Sequence, residues 1–140
     1  MSMRYLGAWL QAGKFNPLAA PGAPTYTYNL YSWGQNNQGQ LGQGNTTYYS
    51  SPKQVGALTN WLNVSCGLYH TVAVKTDGTL WSWGQNNYGQ LGLGNTTYYS
   101  SPVQVGSLTN WYAVSSQAYS PVVIKNDGSI WSWGYNAFGN

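Results

Sequence analysis

Few side chains in this 140-residue sequence can act as acids, bases, nucleophiles or metal ligands. His70 is the only histidine and Cys66 the only cysteine; Asp77 and Asp127 are the only acidic residues, with no glutamate. A general base must lie within hydrogen-bond reach of the proton it moves. The nearest acid to His70 in sequence is Asp77, which stands before Gly78, where aspartate serves a turn. Glycosidase chemistry needs two carboxyl groups at a set separation, whereas Asp77 and Asp127 are copies of one turn. One Cys, one His and two Asp do not make a metal site, and a lone Cys66 forms no intrachain disulfide. The run GQLGQGN at 39–45 lacks the lysine of a phosphate-binding loop. The sequence therefore reads as non-enzymatic, with no catalytic or metal-ligating residue and no cofactor.

The recognition chemistry lies in tyrosine. Thirteen tyrosines are present, and Asn45-Thr46-Thr47-Tyr48-Tyr49-Ser50 recurs at 95–100. Tyr48, Tyr49, Tyr98 and Tyr99 are the candidate ligand or partner contacts. Each offers a flat apolar face and a hydroxyl at low entropic cost, and the flanking Asn, Thr and Ser add hydrogen bonds. The competing expectation is that these loops pack on neighbouring structure. Nucleic acid is a poor partner, because phosphate binding needs clustered cations. Arg4, Lys14, Lys53, Lys75 and Lys125 are scattered along the chain. No stretch is long and apolar enough to span a membrane, and the apolar patch from Tyr5 to Leu10 is too short for a signal peptide.

These residues are positioned by a repeat. Trp33, Trp83 and Trp133 recur every 50 residues. SWGQNN at 32–37 returns at 82–87, GNTTYYSSP at 44–52 returns at 94–102, and LTNW at 58–61 returns at 108–111. Short β-rich runs are predicted near 53–56, 62–66, 70–75 and 79–84, and again 50 residues later. The last two flank Asp77-Gly78 as a hairpin. Four short strands per period with glycine punctuation and an aromatic motif read as a β-propeller blade. Trp81 and Trp83 point to one face and Leu80 to the other, as a sheet packed on both sides requires.

The residues LWSWGQNNYGQLGLG at 80–94, SPVQV at 101–105 and VSCGLYHTVAVKTDG at 64–78 closely resemble the RCC1 repeat family. The resemblance covers about residues 26–140 and implies an all-β fold of four-stranded antiparallel propeller blades in a ring of usually seven. His70 matches a common family position, which implies a structural role. The expected organisation is a non-repeat segment at 1–25, then repeats at 31–80 and 81–130 and a partial copy at 131–140. This amounts to about two complete blades plus one leading strand, a portion of a propeller. So few blades leave faces and edges open, and the 140 residues are expected to belong to a longer product. In the second copy Gly67, His70 and Thr71 become Gln117, Ser120 and Pro121. Pro121 lacks an N–H, so its strand is expected to loosen there or to start one residue later.

Tyr5, Trp9, Leu10 and Phe15, ahead of the Pro21-Gly22-Ala23-Pro24 linker, are expected to anchor the chain to a larger assembly. The sparse charge, Tyr-rich loops and absence of a signal peptide point to a structural or adhesion module of a phage particle, made inside the cell and working outside it. The chain looks like phage and bacterial RCC1-repeat structural proteins. Its partners would be other structural proteins, copies of itself or a host-surface glycan, at a virion or extracellular surface. The alternative implied by the resemblance is a regulatory propeller that binds a protein such as a small GTPase and promotes its nucleotide exchange.

Overall fold

The computed structural model describes the backbone of residues 7–11 and all of residues 27–136, and within them the chain is all-β. Ten strands form three antiparallel sheets. The first sheet holds β1 (Gly7–Gln11), β2 (Asn29–Gly34) and β3 (Tyr49–Gln54). The second holds β4 (Trp61–Cys66), β5 (His70–Lys75), β6 (Leu80–Gly84) and β7 (Tyr99–Gln104). The third holds β8 (Trp111–Gln117), β9 (Ser120–Lys125) and β10 (Ile130–Ser132).

The sequence period and the sheets are out of phase. Residues 31–80 contribute most of β2 and all of β3 to the first sheet, and β4 and β5 to the second. The four-stranded sheet thus spans the junction of two sequence copies. Among the described residues one sheet has four strands and two have three, instead of two complete four-stranded units plus a leading strand. Pairing follows hairpin proximity, and β4 and β5 fold back onto β6 rather than onto β3.

The β5–β6 hairpin forms where expected, with Val72 opposite Ser82 and Ala73 opposite Trp81. Asp77 accepts hydrogen bonds from the Thr79 backbone N–H (3.0 Å) and hydroxyl (2.6 Å), and Gly78 supplies a φ of +78°. The strand expected at 53–56 lies instead at 49–54. Tyr49 pairs with Gly34, and a bulge between Ser32 and Gly34 resets the register. Pro121 does not delay β9, which keeps its pairing with β8. The loss appears on the other side, where the ladder to β10 stops at Val122 opposite Ser132 while β5 and β6 pair as far as His70 and Gly84.

The second sheet is buried on both faces. Trp61, Ala73 and Trp83 pack with Leu30 and Val55 of the first sheet side. Val72, Val74 and Leu80 pack with Trp111, Val114 and Val123 of the third. A charge on either face would need a partner inside the protein, which accounts for the scarcity of charge in the strands. Lys75 meets that condition with aromatic rings, its ammonium 3.5 Å from the centroid of Trp81 and 4.9 Å from that of Trp61. Lys125 repeats the arrangement on Trp131 and Trp111.

Neighbouring sheets are also clasped by hydrogen bonds. The Trp83 indole N–H donates to the Gln40 carbonyl at 2.9 Å, and the Thr71 hydroxyl donates to the same oxygen at 2.8 Å. Trp133 donates to the Gln90 carbonyl at 3.0 Å. Between the second and third sheets, Asn63 Oδ1 accepts from the Val114 N–H (3.1 Å) and Ser65 Oγ from the Ser116 N–H (2.8 Å). His70 Nε2 lies 2.8 Å from Ser116 Oγ, with Nδ1 unpartnered. Burial lowers the His70 pKa to about 4.

Trp83 is 1% exposed, while Trp133 is half-buried. Trp83→Ala is expected to cost about 3–5 kcal/mol in denaturant unfolding and Trp133→Ala less. A Trp83→Ala cost below roughly 1 kcal/mol, typical of surface sites, would contradict this packing. His70 stays neutral in the folded chain below the pH at which an unfolded histidine takes up a proton. Stability should therefore be unaffected above pH 6.5 and fall as the pH drops toward 4, by up to about 3 kcal/mol. His70→Asn should flatten that slope, and an unchanged slope in the variant would refute the assignment.

Candidate functional site

The loop that follows Trp33-Gly34 and recurs after Trp83-Gly84 is built around a buried asparagine. Asn36 Nδ2 donates to the carbonyls of Asn45 (2.9 Å) and Thr47 (3.0 Å), and its Oδ1 accepts from the Leu41 N–H (2.9 Å). Gln40 Oε1 accepts from the Gln38 N–H at 2.8 Å. Asn86 and Gln90 repeat these bonds with Asn95, Leu91 and Tyr88. Ser32 and Ser82 donate to the carbonyls of Leu41 and Leu91, each at 2.7 Å. The loops are therefore held by internal hydrogen bonds and need little ordering when something docks on them.

The four tyrosines divide into two kinds. Tyr48 and Tyr98 point outward, 57% and 42% exposed. Tyr49 and Tyr99 are half-buried at the first positions of β3 and β7. The Tyr49 hydroxyl accepts from Asn45 Nδ2 at 3.0 Å, and Lys53 Nζ lies 4.6 Å from the ring centroid. The Tyr99 hydroxyl accepts from Asn95 Nδ2 at 3.4 Å. Tyr48 and Tyr98 are thus open to solvent, and Tyr49 and Tyr99 are bonded to the loop asparagines.

Of the proposed anchor residues, Tyr5 and Phe15 lie outside the described residues. Trp9 and Leu10 fall in β1, whose backbone pairs with β2, Trp9 opposite Tyr31 and Leu10 opposite Leu30; their side chains lie outside the described residues. The segment 1–25 thus supplies a strand to the first sheet.

The reactive residue types are spent on structure. His70 is fully buried against Ser116. Burial pushes the Cys66 thiol up to about 11, against a hydrogen bond with Thr71 that lowers it. Burial raises the Asp77 pKa, but the Thr79 bonds and Lys75 outweigh it and leave the carboxyl below its ordinary range. Asp127 is lowered first by its bonds from Ser129, 2.6 Å from the hydroxyl and 2.9 Å from the N–H. Among the described residues no three of His, Cys, Asp and Glu come together as a metal site.

Sequence reasoning passed over one aromatic group. Tyr88, Tyr119 and Tyr135 meet edge to face, with centroids 4.6–6.2 Å apart. The signal was present: Tyr88 and Tyr135 stand where the preceding copy has Gln38 and Gln85. Leu68, in the β4–β5 turn, is a further exposed apolar residue at this end of the sheets.

Comparison with known proteins places this architecture. The family model for the regulator of chromosome condensation (RCC1) repeat matches residues 29–74 and 77–118. An RCC2 homologue of Danio rerio is 42% identical over 53 residues, 36% of this chain and 11% of that protein. An X-linked retinitis pigmentosa GTPase regulator homolog of Caenorhabditis elegans is 44% identical over 55 residues, 36% of this chain and 4% of its own. Human WBSCR16 superposes with a TM-score of 0.69 at 23% identity, over 80% of this chain and 31% of its own. Prp20p of Saccharomyces cerevisiae, described by its binding to Gsp1p and histones, superposes with a TM-score of 0.66 at 23% identity, over 76% and 26%. The chain spans less than a third of each of these proteins.

These relatives are eukaryotic, and two are described by GTPase regulation or by binding to Gsp1p and histones. They overturn the expectation of a phage or bacterial structural protein, with particle proteins or host glycans as partners and a virion or extracellular surface as location. The inference failed because scarce charge and abundant aromatics arise here from stacking sheets on both faces, whatever the compartment. The chain belongs to the regulator of chromosome condensation (RCC1) repeat family.

Proposed function

We propose that the chain is a portion of an RCC1-type β-propeller, with four-stranded blades arranged about an axis, and that it regulates a small GTPase by binding it. The observation that carries this reading is the indole hydrogen bond that recurs between successive sheets, Trp83 on Gln40 and Trp133 on Gln90. A contact that repeats unchanged turns a sequence repeat into a regular array. Such an array holds its loops in fixed relation and offers a broad, preorganised surface to a protein. The similarity to a GTPase regulator homolog and to a Gsp1p-binding protein supports the choice of partner. In this reading Tyr48 and Tyr98 make contact, while Tyr49 and Tyr99 keep the loops in shape.

A regulator of nucleotide exchange must bind the nucleotide-free partner more tightly than the loaded one, because the linkage is reciprocal. Saturating amounts of the chain should therefore weaken GDP binding by a panel of small GTPases by about 5- to 150-fold for a cognate partner. Fluorescent-GDP titration checks this. Unchanged GDP affinity throughout, with the chain at saturating concentration, would overturn the reading.

A further inference from the structure

Ser-Trp-Gly occurs three times in the sequence, at 32–34, 82–84 and 132–134, and Tyr-Tyr-Ser-Ser-Pro twice, at 48–52 and 98–102. Each of the first two Ser-Trp-Gly strands carries a Tyr-Ser-Ser-Pro strand on one edge, β3 on β2 and β7 on β6. The two pairings agree position by position. Ser32 faces Lys53 as Ser82 faces Val103, and Gly34 faces Tyr49 as Gly84 faces Tyr99. The Val55 N–H donates to the Leu30 carbonyl and the Val105 N–H to the Leu80 carbonyl, both at 2.8 Å. β10 runs into the third Ser-Trp-Gly. One of its edges pairs with β9, and among the described residues the other pairs with no strand.

We infer that the open edge of β10 is a strand-binding site. Its occupant is an extended polypeptide segment of the Tyr-Ser-Ser-Pro-x-Gln-Val type from outside these 140 residues. The chain itself shows twice what such an edge takes, in one register. A second copy of the chain cannot serve, because each copy brings three Ser-Trp-Gly motifs and only two Tyr-Tyr-Ser-Ser-Pro segments. Any exchange between copies leaves one edge open per chain. The Ile130 side chain also lacks its apolar cover. It is 69% exposed, whereas its counterparts Leu30 and Leu80 are 1% and 0% exposed in clusters that include Val55 and Val105. Backbone groups alternate along a strand, so the Leu80 carbonyl and the polar groups of Ser82 face β7, and Ile130 and Ser132 hold those places in β10. An edge of this kind is a template for strand addition, main-chain bonds giving affinity and alternate side chains specificity. Pro52 and Pro102 lie in the outermost strands β3 and β7, where a missing N–H discourages a further strand. β10, Ile-Trp-Ser, carries neither proline nor charge. The inference rests on reading the third sheet as an incomplete blade, not on the partner's being a GTPase.

A fluorescent peptide with the sequence of residues 94–107, titrated with the full chain and followed by anisotropy, tests the assignment. Binding should saturate at one peptide per chain with a Kd below about 1 mM. A peptide methylated on the backbone nitrogen of its Val105 keeps every side chain but loses the bond to the Ile130 carbonyl. It should bind at least about tenfold more weakly, as should a scrambled peptide. Ile130→Lys, a charge at an exposed edge position, should weaken binding by a similar factor. Leu58→Ser, at an exposed position ahead of β4, should leave it within about twofold of the parent. If Ile130→Lys loses its β-sheet circular dichroism, the methylated peptide on the parent chain decides alone. The assignment falls if no saturable binding is seen, if more than one peptide binds per chain, or if the methylated or scrambled peptide binds as well as the parent peptide. Unchanged binding to a folded Ile130→Lys chain also overturns it, as does a dimer that takes up peptide only when diluted to monomer, which assigns the edge to a second copy. The GDP titration is a separate readout. A GTPase response without peptide binding removes this assignment alone, and peptide binding without a GTPase response removes the GTPase reading alone.

Discussion

The carbonyl oxygen of Gln40 holds the first sheet to the second. It accepts both the Trp83 indole N–H and the Thr71 hydroxyl, so one backbone atom satisfies two buried donors of the neighbouring sheet. The geometry has little slack. A Cβ on Gly42 would stand 2.7 Å from Trp83 Nε1, and one on Gly92 2.8 Å from Trp133 Nε1. Both glycines also lie near φ +70°, where a side chain is strained. The GQLG motif is therefore a seat for the tryptophan of the next copy, and its buried Asn36 and Gln40 keep that seat in shape.

The other constant features of the repeat follow from this seat. Trp83 enters it from a strand whose alternate residues face the opposite sheet, so Trp83 packs with Leu30 and Val55 while Leu80 packs toward Trp111 and Val123. With both faces occupied, charge is confined to the sheet ends and edges, apart from Lys75 and Lys125 on their tryptophan rings. Even there it is unequal, because the Asp-Gly hairpins turn at one end and the asparagine-built loops at the other. The two carboxylates therefore sit at the hairpin end, each bonded within its own turn.

The interface between the second and third sheets shows how near-identical copies are individualised. Ser116 donates its N–H to Ser65 and meets His70 through its hydroxyl, where the preceding copy has Cys66. His70 in turn is replaced by Ser120, which faces no such partner and donates to the Tyr135 carbonyl at 3.2 Å. The tyrosine cluster of 88, 119 and 135 marks the same region. Divergence between the copies is concentrated where the third sheet departs from the second.

The sequence alone determined the period, the all-β class, the β5–β6 hairpin, the opposed faces of Leu80 and Trp83 and the family. Each depends on local chemistry: alternation along a strand, an Asp-Gly turn, or residue types recurring at one spacing. It also assigned Asp77 to hairpin-turn chemistry, which the structure bears out in its bonds from Thr79. Tertiary structure decided which strands share a sheet, since β4 and β5 join β6 and β7 across the repeat boundary for reasons of folding back rather than of sequence similarity. It decided that Tyr48 and Tyr98 face solvent while Tyr49 and Tyr99 are half-buried where β3 and β7 begin. It also decided that Asp77 and Asp127 sit at the end opposite the loops of Tyr48 and Tyr98. Composition sums the two ends together, and only the antiparallel course of the strands separates them.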